Sequence, residues 1–160
     1  MGALRSNVRA GLPRSSPRQP LNLTLGVIKP TTNMEAALEL SALIDRYCEA
    51  WSEHDEHRRA ELLSSVWAEG GSYTDPTVHA VGVSELLAHI ANVQARRPGS
   101  KVMRTSEVDE HHRVARFAWC AIEKNGNALT EGIDLVFLPA DGSKLERIIG
   151  FFGSTKSRSE

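Results

Sequence analysis

Three residues of this chain combine a chemically useful side chain with a telling position: Asp75, Asp134 and Tyr47. Asp75 precedes Pro76 at the end of the run Gly71-Ser72-Tyr73-Thr74. A residue before proline is pushed out of the helical region, so Asp75 is expected extended at a strand end, its carboxylate held in one direction. A general base needs that aim. The simpler alternative is a turn, because Asp-Pro is common turn chemistry. Asp134 sits inside Gly132-Ile133-Asp134-Leu135-Val136-Phe137, the pattern of a buried strand, where a carboxylate is rare unless satisfied or functional. Desolvation there raises a carboxyl pKa and can leave the group neutral at pH 7. The structural alternative is an ion pair with Arg116 or Arg147, although strand alternation turns both to the opposite face of the sheet. Tyr47 lies on the apolar face of a predicted helix, so its hydroxyl must meet a backbone partner or a cavity.

The elements that must position these groups are legible in order. Thr32-Asn33-Met34-Glu35 reads as a capping box. Leu40, Leu43, Ile44, Tyr47, Cys48 and Trp51 then fall on one face of a helix, with Glu39, Arg46, Glu49 and Glu53 opposite. Glu53-His54-Asp55-Glu56-His57 resembles a metal cluster at first sight. It reads better as a helix–helix connection capped by Asp55, because an open corner cannot fix several ligands. A second helix places Leu62, Leu63, Val66 and Trp67 inward and ends at Gly70-Gly71. Val78-His79-Ala80-Val81 forms a short returning strand, and Ser84 caps a third helix with Leu86, Leu87, Ile90 and Val93 on one side. Arg96-Arg97-Pro98-Gly99 ends it as a solvated terminus.

From Lys101 onward the signals are β. Strands are expected over 101–108, 113–123, 128–138 and 144–152, with turns at Asp109–His112, Asn125-Gly126 and Pro139–Ser143. Asn-Gly between long β-prone runs is a strong hairpin signal. A two-residue loop there sets Phe117 opposite Asp134 and Trp119 opposite Gly132, which puts Asp134 on an aromatic face beside a glycine. The two central strands are apolar on both sides: Ala115, Phe117, Trp119 and Ala121 on one, Val114, Ala118, Cys120 and Ile122 on the other. Helices cover one face. The other calls for a partner subunit.

The chain has 160 residues, 41% hydrophobic and 24% charged, which suits one compact domain with a tail. Net charge is −1, so nothing global points to nucleic acid or an anionic membrane. Residues 1–31 carry Arg5, Arg9, Arg14, Arg18 and Lys29 with no acidic residue, leaving 14 basic against 20 acidic residues beyond them. This Pro-interrupted stretch reads as a disordered basic leader or an upstream start, with Leu21–Ile28 as a possible short arm; residues 32–153 form the domain and 154–160 a polar tail. Cys48 and Cys120 fall among apolar neighbours as small buried residues, which fits a reducing, cytoplasmic setting.

Arg46-Tyr47 on the first helix, Asp75-Pro76 after the second, and Ile133-Asp134 on a later central strand occur in the same order in ketosteroid isomerases. With three helices, a short hairpin and a long antiparallel sheet, the stretch 34–152 resembles the nuclear transport factor 2-like superfamily, above all its SnoaL-like polyketide cyclase and ketosteroid isomerase branches. The resemblance implies a cone-shaped α+β roll of the cystatin-like type, with three helices packed on a curved, mainly antiparallel sheet. It implies a cofactor-free proton shift beside the carbonyl of a small apolar substrate, isomerisation or cyclisation. Asp75 would be the base, with Tyr47 and a protonated Asp134 as oxyanion donors, the pairing of one ionised and one neutral carboxyl known from ketosteroid isomerase. Trp51, Trp67, His79, Phe117, Trp119 and Phe152 would line the cavity, with no metal and no organic cofactor. Trp51, the Trp119 strand and the Gly150-Phe151-Phe152 ending look SnoaL-like.

Two alternatives stand beside this reading. One is a non-catalytic module that binds a small apolar ligand or dimerises. The other is epoxide hydrolysis as in limonene epoxide hydrolase, which uses an Asp-Arg-Asp set; here Arg113 and Arg116 lie on the strand without the Arg-x-Asp it needs. Expected partners are a small carbonyl compound and a second copy through the sheet, not nucleic acid or a membrane.

Overall fold

A computed structural model of the chain describes Gly2, residues 33–154 and Ser157. The basic leader, its short arm, and Thr32 of the capping box lie outside the described residues. The helical period read over Leu40–Trp51 gives α1 (Asn33–Ser52), and Leu40, Ile44, Tyr47, Cys48 and Trp51 are buried. Asp55 caps α2 (Glu56–Val66), accepting from Arg58 N at 2.8 Å. The buried Arg59 turns back to donate to the carbonyl oxygens of Glu53 and His54, both at 3.0 Å, so it closes the corner between the two helices.

The second helix stops earlier than its apolar pattern suggests. Trp67 opens β1 (Trp67–Asp75), and Gly70-Gly71 is an irregularity inside that strand, not a helix stop. Gly70 takes φ +70°, and a side chain at Gly71 would collide with the Trp67 indole and the Glu146 carbonyl. Glycine signals a bulge in a strand as well as a helix end, and here the bulge wins. β2 (Val78–Val81) returns antiparallel. α3 (Gly82–Arg96) starts before Ser84: Val81 is its N-cap residue, and the Glu85 carboxylate reaches back to accept from Val81 N at 2.7 Å.

The remaining strands are β3 (Lys101–Arg104), β4 (Asp109–His111), β5 (Val114–Ile122), β6 (Ala128–Phe137) and β7 (Leu145–Phe152). The run 101–108 is therefore shorter as a strand than expected, and the expected turn at Asp109–His112 is mostly the strand β4. The turn proper is His112-Arg113, both at positive φ. The sheet order is β2-β1-β7-β6-β5-β3, with β4 also paired to β5. Every pair is antiparallel except β1 with β7.

The β5–β6 register is the expected one, with Phe117 opposite Asp134 and Trp119 opposite Gly132. The loop that makes it differs. Glu123 pairs with Asn127 across a three-residue loop with Gly126 at φ +90°. A bulge at Leu129 then adds the residue that restores the pairing.

Three helices cover one face of this open, curved, mostly antiparallel sheet, an α+β roll. Ile44, Leu63, Leu86, Ile90, Phe117, Val136, Leu145 and Ile148 make the interior between them. Each such side chain contributes roughly 1.5–3 kcal/mol on burial. Ser52 Oγ bonds to both Val102 N and Val102 O, and Arg104 grips Asp45 through two nitrogens at 2.7 and 2.9 Å, so α1 is fixed to β3 at two points. No helix among the described residues is long and apolar enough to cross a membrane.

Candidate active site

Period-2 alternation and register bring the acidic groups together. Asp134 on β6 pairs with Gly150 on β7, and the parallel β1–β7 pair runs Tyr73 beside Ile148 and Thr74 beside Ile149. One step further brings Asp75 to Gly150. A Cβ on Gly150 would lie 2.9 Å from Asp134 Oδ1 and 3.6 Å from both Asp75 Cβ and Tyr73 Oη. The bare glycine is what lets two carboxyl groups and a phenol meet over one point of the sheet.

Asp75 is held by its own turn. Its Oδ1 accepts from Thr77 N at 2.6 Å, Thr77 Oγ1 at 2.7 Å and Val78 N at 3.0 Å. Tyr73 donates to Oδ2 at 3.0 Å, and His89 Nε2 stands 3.9 Å from that same oxygen. The turn reading and the aimed-carboxylate reading of Asp75-Pro76 are thus both correct: the turn occupies one oxygen and points the other inward. The Asp75 side chain is 3% exposed.

Among the described residues Asp134 has no arginine partner. Arg116 pairs with Asp109 and Arg147 lies over the Phe137 ring, both out on the far face. Trp119 Nε1 donates to Asp134 Oδ1 at 2.7 Å instead. Burial drives the Asp134 pKa up to about 7; the Trp119 bond opposes this and the Asp75 charge reinforces it. With Oδ1 held as an acceptor, Oδ2 is the oxygen left to carry the proton.

Tyr47 reaches the same place from α1. Its ring stacks on Trp67 at 6.0 Å and meets Trp51 edge-on at 6.3 Å. Burial, then the charge of Asp134, raises its pKa well above the ordinary phenol value, and burial does the same to Tyr73. Both phenols therefore remain donors at neutral pH. Burial lowers His89 below the ordinary histidine value, Asp75 opposing and Arg96 adding to the effect, so the ring is neutral there at pH 7. Burial also pushes the Cys48 thiol up to about 12.

These groups line one cavity of about 350 Å³. Tyr47, Cys48, Trp51, Tyr73, Phe117, Trp119 and Asp134 form its buried wall; Thr77, Arg96, Arg97, Thr130 and the half-exposed Phe152 form its mouth. The buried Trp51 indole N–H on this wall lies beside the Tyr47 phenol, whose pKa it acts to lower against the effect of burial.

Two expected lining residues are elsewhere. His79 pairs with Thr74, not with Tyr73 or Asp75, so it faces outward and its Nδ1 bonds Thr74 Oγ1 at 2.7 Å. Trp67 is buried behind Tyr47 and supports that ring without lining the cavity. Tyr73, His89 and the two arginines join the site unannounced. Tyr73 is two residues from Asp75 on one strand, and His89 is three from Leu86 and four from Val93 on one helix, so both periods carried the signal.

No protein-family profile and no curated protein sequence matches the chain. Solved structures do. A candidate isomerase of the SnoaL-like family from Agrobacterium tumefaciens is 28% identical with a TM-score of 0.68, covering 73% of this chain and 99% of its own. A candidate SnoaL-like polyketide cyclase from Jannaschia sp. CCS1 has a TM-score of 0.59 at 12% identity, covering 73% of this chain and 87% of its own. A candidate ketosteroid isomerase from Kribbella flavida has 0.54 at 16%, covering 79% and 87%. The last two show likeness of fold alone. Taken with the helix-covered curved sheet, these likenesses make the chain a member of the nuclear transport factor 2-like superfamily.

Proposed function

We propose that this chain is an acid–base enzyme of the ketosteroid isomerase or SnoaL-like type that shifts a proton beside the carbonyl of a small apolar substrate. The observation that carries the reading is that α1, β1 and β6 deliver Tyr47, Asp75 and Asp134 to one largely apolar cavity. Asp75 Oδ2 takes a proton from the carbon next to a ketone. The electrons of that C–H bond move onto the carbonyl oxygen, where Tyr47 and protonated Asp134 donate to the resulting dienolate. Asp75 then returns the proton to the γ-carbon, and the conjugated enone leaves. In a cyclisation the same enolate carbon instead attacks a second carbonyl of the substrate, the π electrons of that C=O move to its oxygen, and the resulting alkoxide takes the proton from Asp75. The scheme uses only these side chains. Trp51, Phe117, Trp119 and Phe152 supply apolar contact.

A second reading draws on Asp75 itself. Four donors already occupy this one carboxylate, which favours a pocket that binds a small apolar ligand without turning it over. The test is to incubate the protein with a β,γ-unsaturated cyclic ketone and follow the absorbance of the conjugated enone. A rate above buffer that saturates with substrate supports the enzyme; binding with no such rate supports the second reading.

A homodimer through the outer sheet face belongs to the same proposal. Ile133 and Phe151 stand opposite each other there at 37% and 56% exposure, and apolar surface of this kind is commonly an interface. Two free thiols, Cys48 and Cys120, accord with a cytoplasmic setting.

A further inference from the structure

We propose that the cavity takes an amphipathic acid, with an apolar ring-bearing body inside and a carboxylate held at the mouth by Arg96 and Arg97. The inference rests on the reading that this cavity is the ligand site, and it adds the substrate class.

Adjacent arginines at a helix end are ordinarily explained by the helix dipole, and Arg96 does spend its Nε on the Asn92 carbonyl at 3.2 Å. Among the described residues that bond leaves the terminal nitrogens of its guanidinium with no protein acceptor. Among the same residues Arg97 has none for its side chain either. Among the described residues neither arginine forms an ion pair, whereas Arg58, Arg104 and Arg116 each have a carboxylate. Glu123 shares an adjoining surface depression with them and accepts from Asn125.

Both arginines line the cavity that holds Asp134 and Tyr47. The Arg96 charge is close enough to be felt by the His89 ring on the same wall. Ser100 and Thr130 line the same cavity. The cavity is therefore polarised along its length. Donors for a carbonyl oxygen lie at the buried end, an aromatic wall follows, and two unpaired cations stand at the exit. Guanidinium groups match a carboxylate in a forked geometry and bond it more strongly than neutral donors do. A neutral hydrocarbon ketone would leave both arginines without a partner.

The test compares 4-(2-naphthyl)butanoic acid with its primary amide, isosteric and uncharged, by titration calorimetry on the full chain. The acid should bind about tenfold more tightly than the amide. In an Arg96→Gln, Arg97→Gln double variant that preference should fall to within about twofold. Equal affinity of the two compounds for the wild-type protein overturns the inference. So does a preference that survives the double substitution, or the absence of binding by either compound. Because the readout is binding alone, selective capture of the acid by a protein that turns over no ketone would uphold this inference while removing the catalytic reading.

Discussion

Trp119 Nε1 donates to Asp134 Oδ1 at 2.7 Å from the neighbouring strand, in the space that Gly132 opens beside the indole ring. This neutral donor stands where an arginine would stand in a structural ion pair. The difference sets the chemistry of the carboxyl. A guanidinium would hold it ionised, whereas an indole N–H orients one oxygen and leaves burial to raise the pKa.

Stability should therefore depend on pH through Asp134. Its folded pKa of about 7 lies above the unfolded value of 3.8, so between about pH 4 and pH 7 the native state binds the extra proton. Stability from this group is fully present below about pH 4, declines as pH rises to about 7, and is flat beyond. The loss is roughly 4 kcal/mol at most. Urea unfolding at pH 5 and pH 8 measures it, and Asp134→Asn should flatten the difference. An equal pH dependence in the variant would remove Asp134 as its source.

Gly132→Ala should destabilise the fold by about 3 kcal/mol. The new methyl would sit 2.5 Å from Trp119 Cζ2 and against the Phe151 carbonyl, and neither a packed indole nor a ladder carbonyl can swing aside. Denaturant unfolding gives the value; a change under 0.5 kcal/mol would show that the ring has room to move.

Tyr47→Phe should lower kcat by about 10²–10³ with KM little changed, because a donor to the dienolate acts in the transition state more than in the ground state. The Trp67 stack that holds the ring does not involve the hydroxyl, so the fold should survive. A rise in KM alone would make Tyr47 a binding contact.

Much of this site could be read from periodicity. The α1 stripe puts Tyr47 inward, and the β5–β6 register puts Asp134 beside aromatic side chains. The register came out correctly although its loop did not, because the Leu129 bulge compensates for the extra loop residue. A bulge has no composition of its own, so a residue count across the hairpin could not reveal it. His79 was misplaced because its pairing with Thr74 depends on a two-residue turn at Pro76-Thr77 that shows only in the strand register. Gly150 could be recognised only once β1 was known to run parallel to β7, a contact between distant parts of the chain.

The proposed reaction turns on Asp75 moving the proton. The direct measurement is kcat for a β,γ-unsaturated cyclic ketone with Asp75→Asn against the wild-type protein, each first shown to bind a planar phenol that mimics the dienolate. The amide retains an oxygen for the Thr77 and Val78 turn but has no basic oxygen to accept the proton. A loss of about 10²–10⁴ in kcat with phenol binding retained is the predicted result; undiminished turnover in the variant would contradict it.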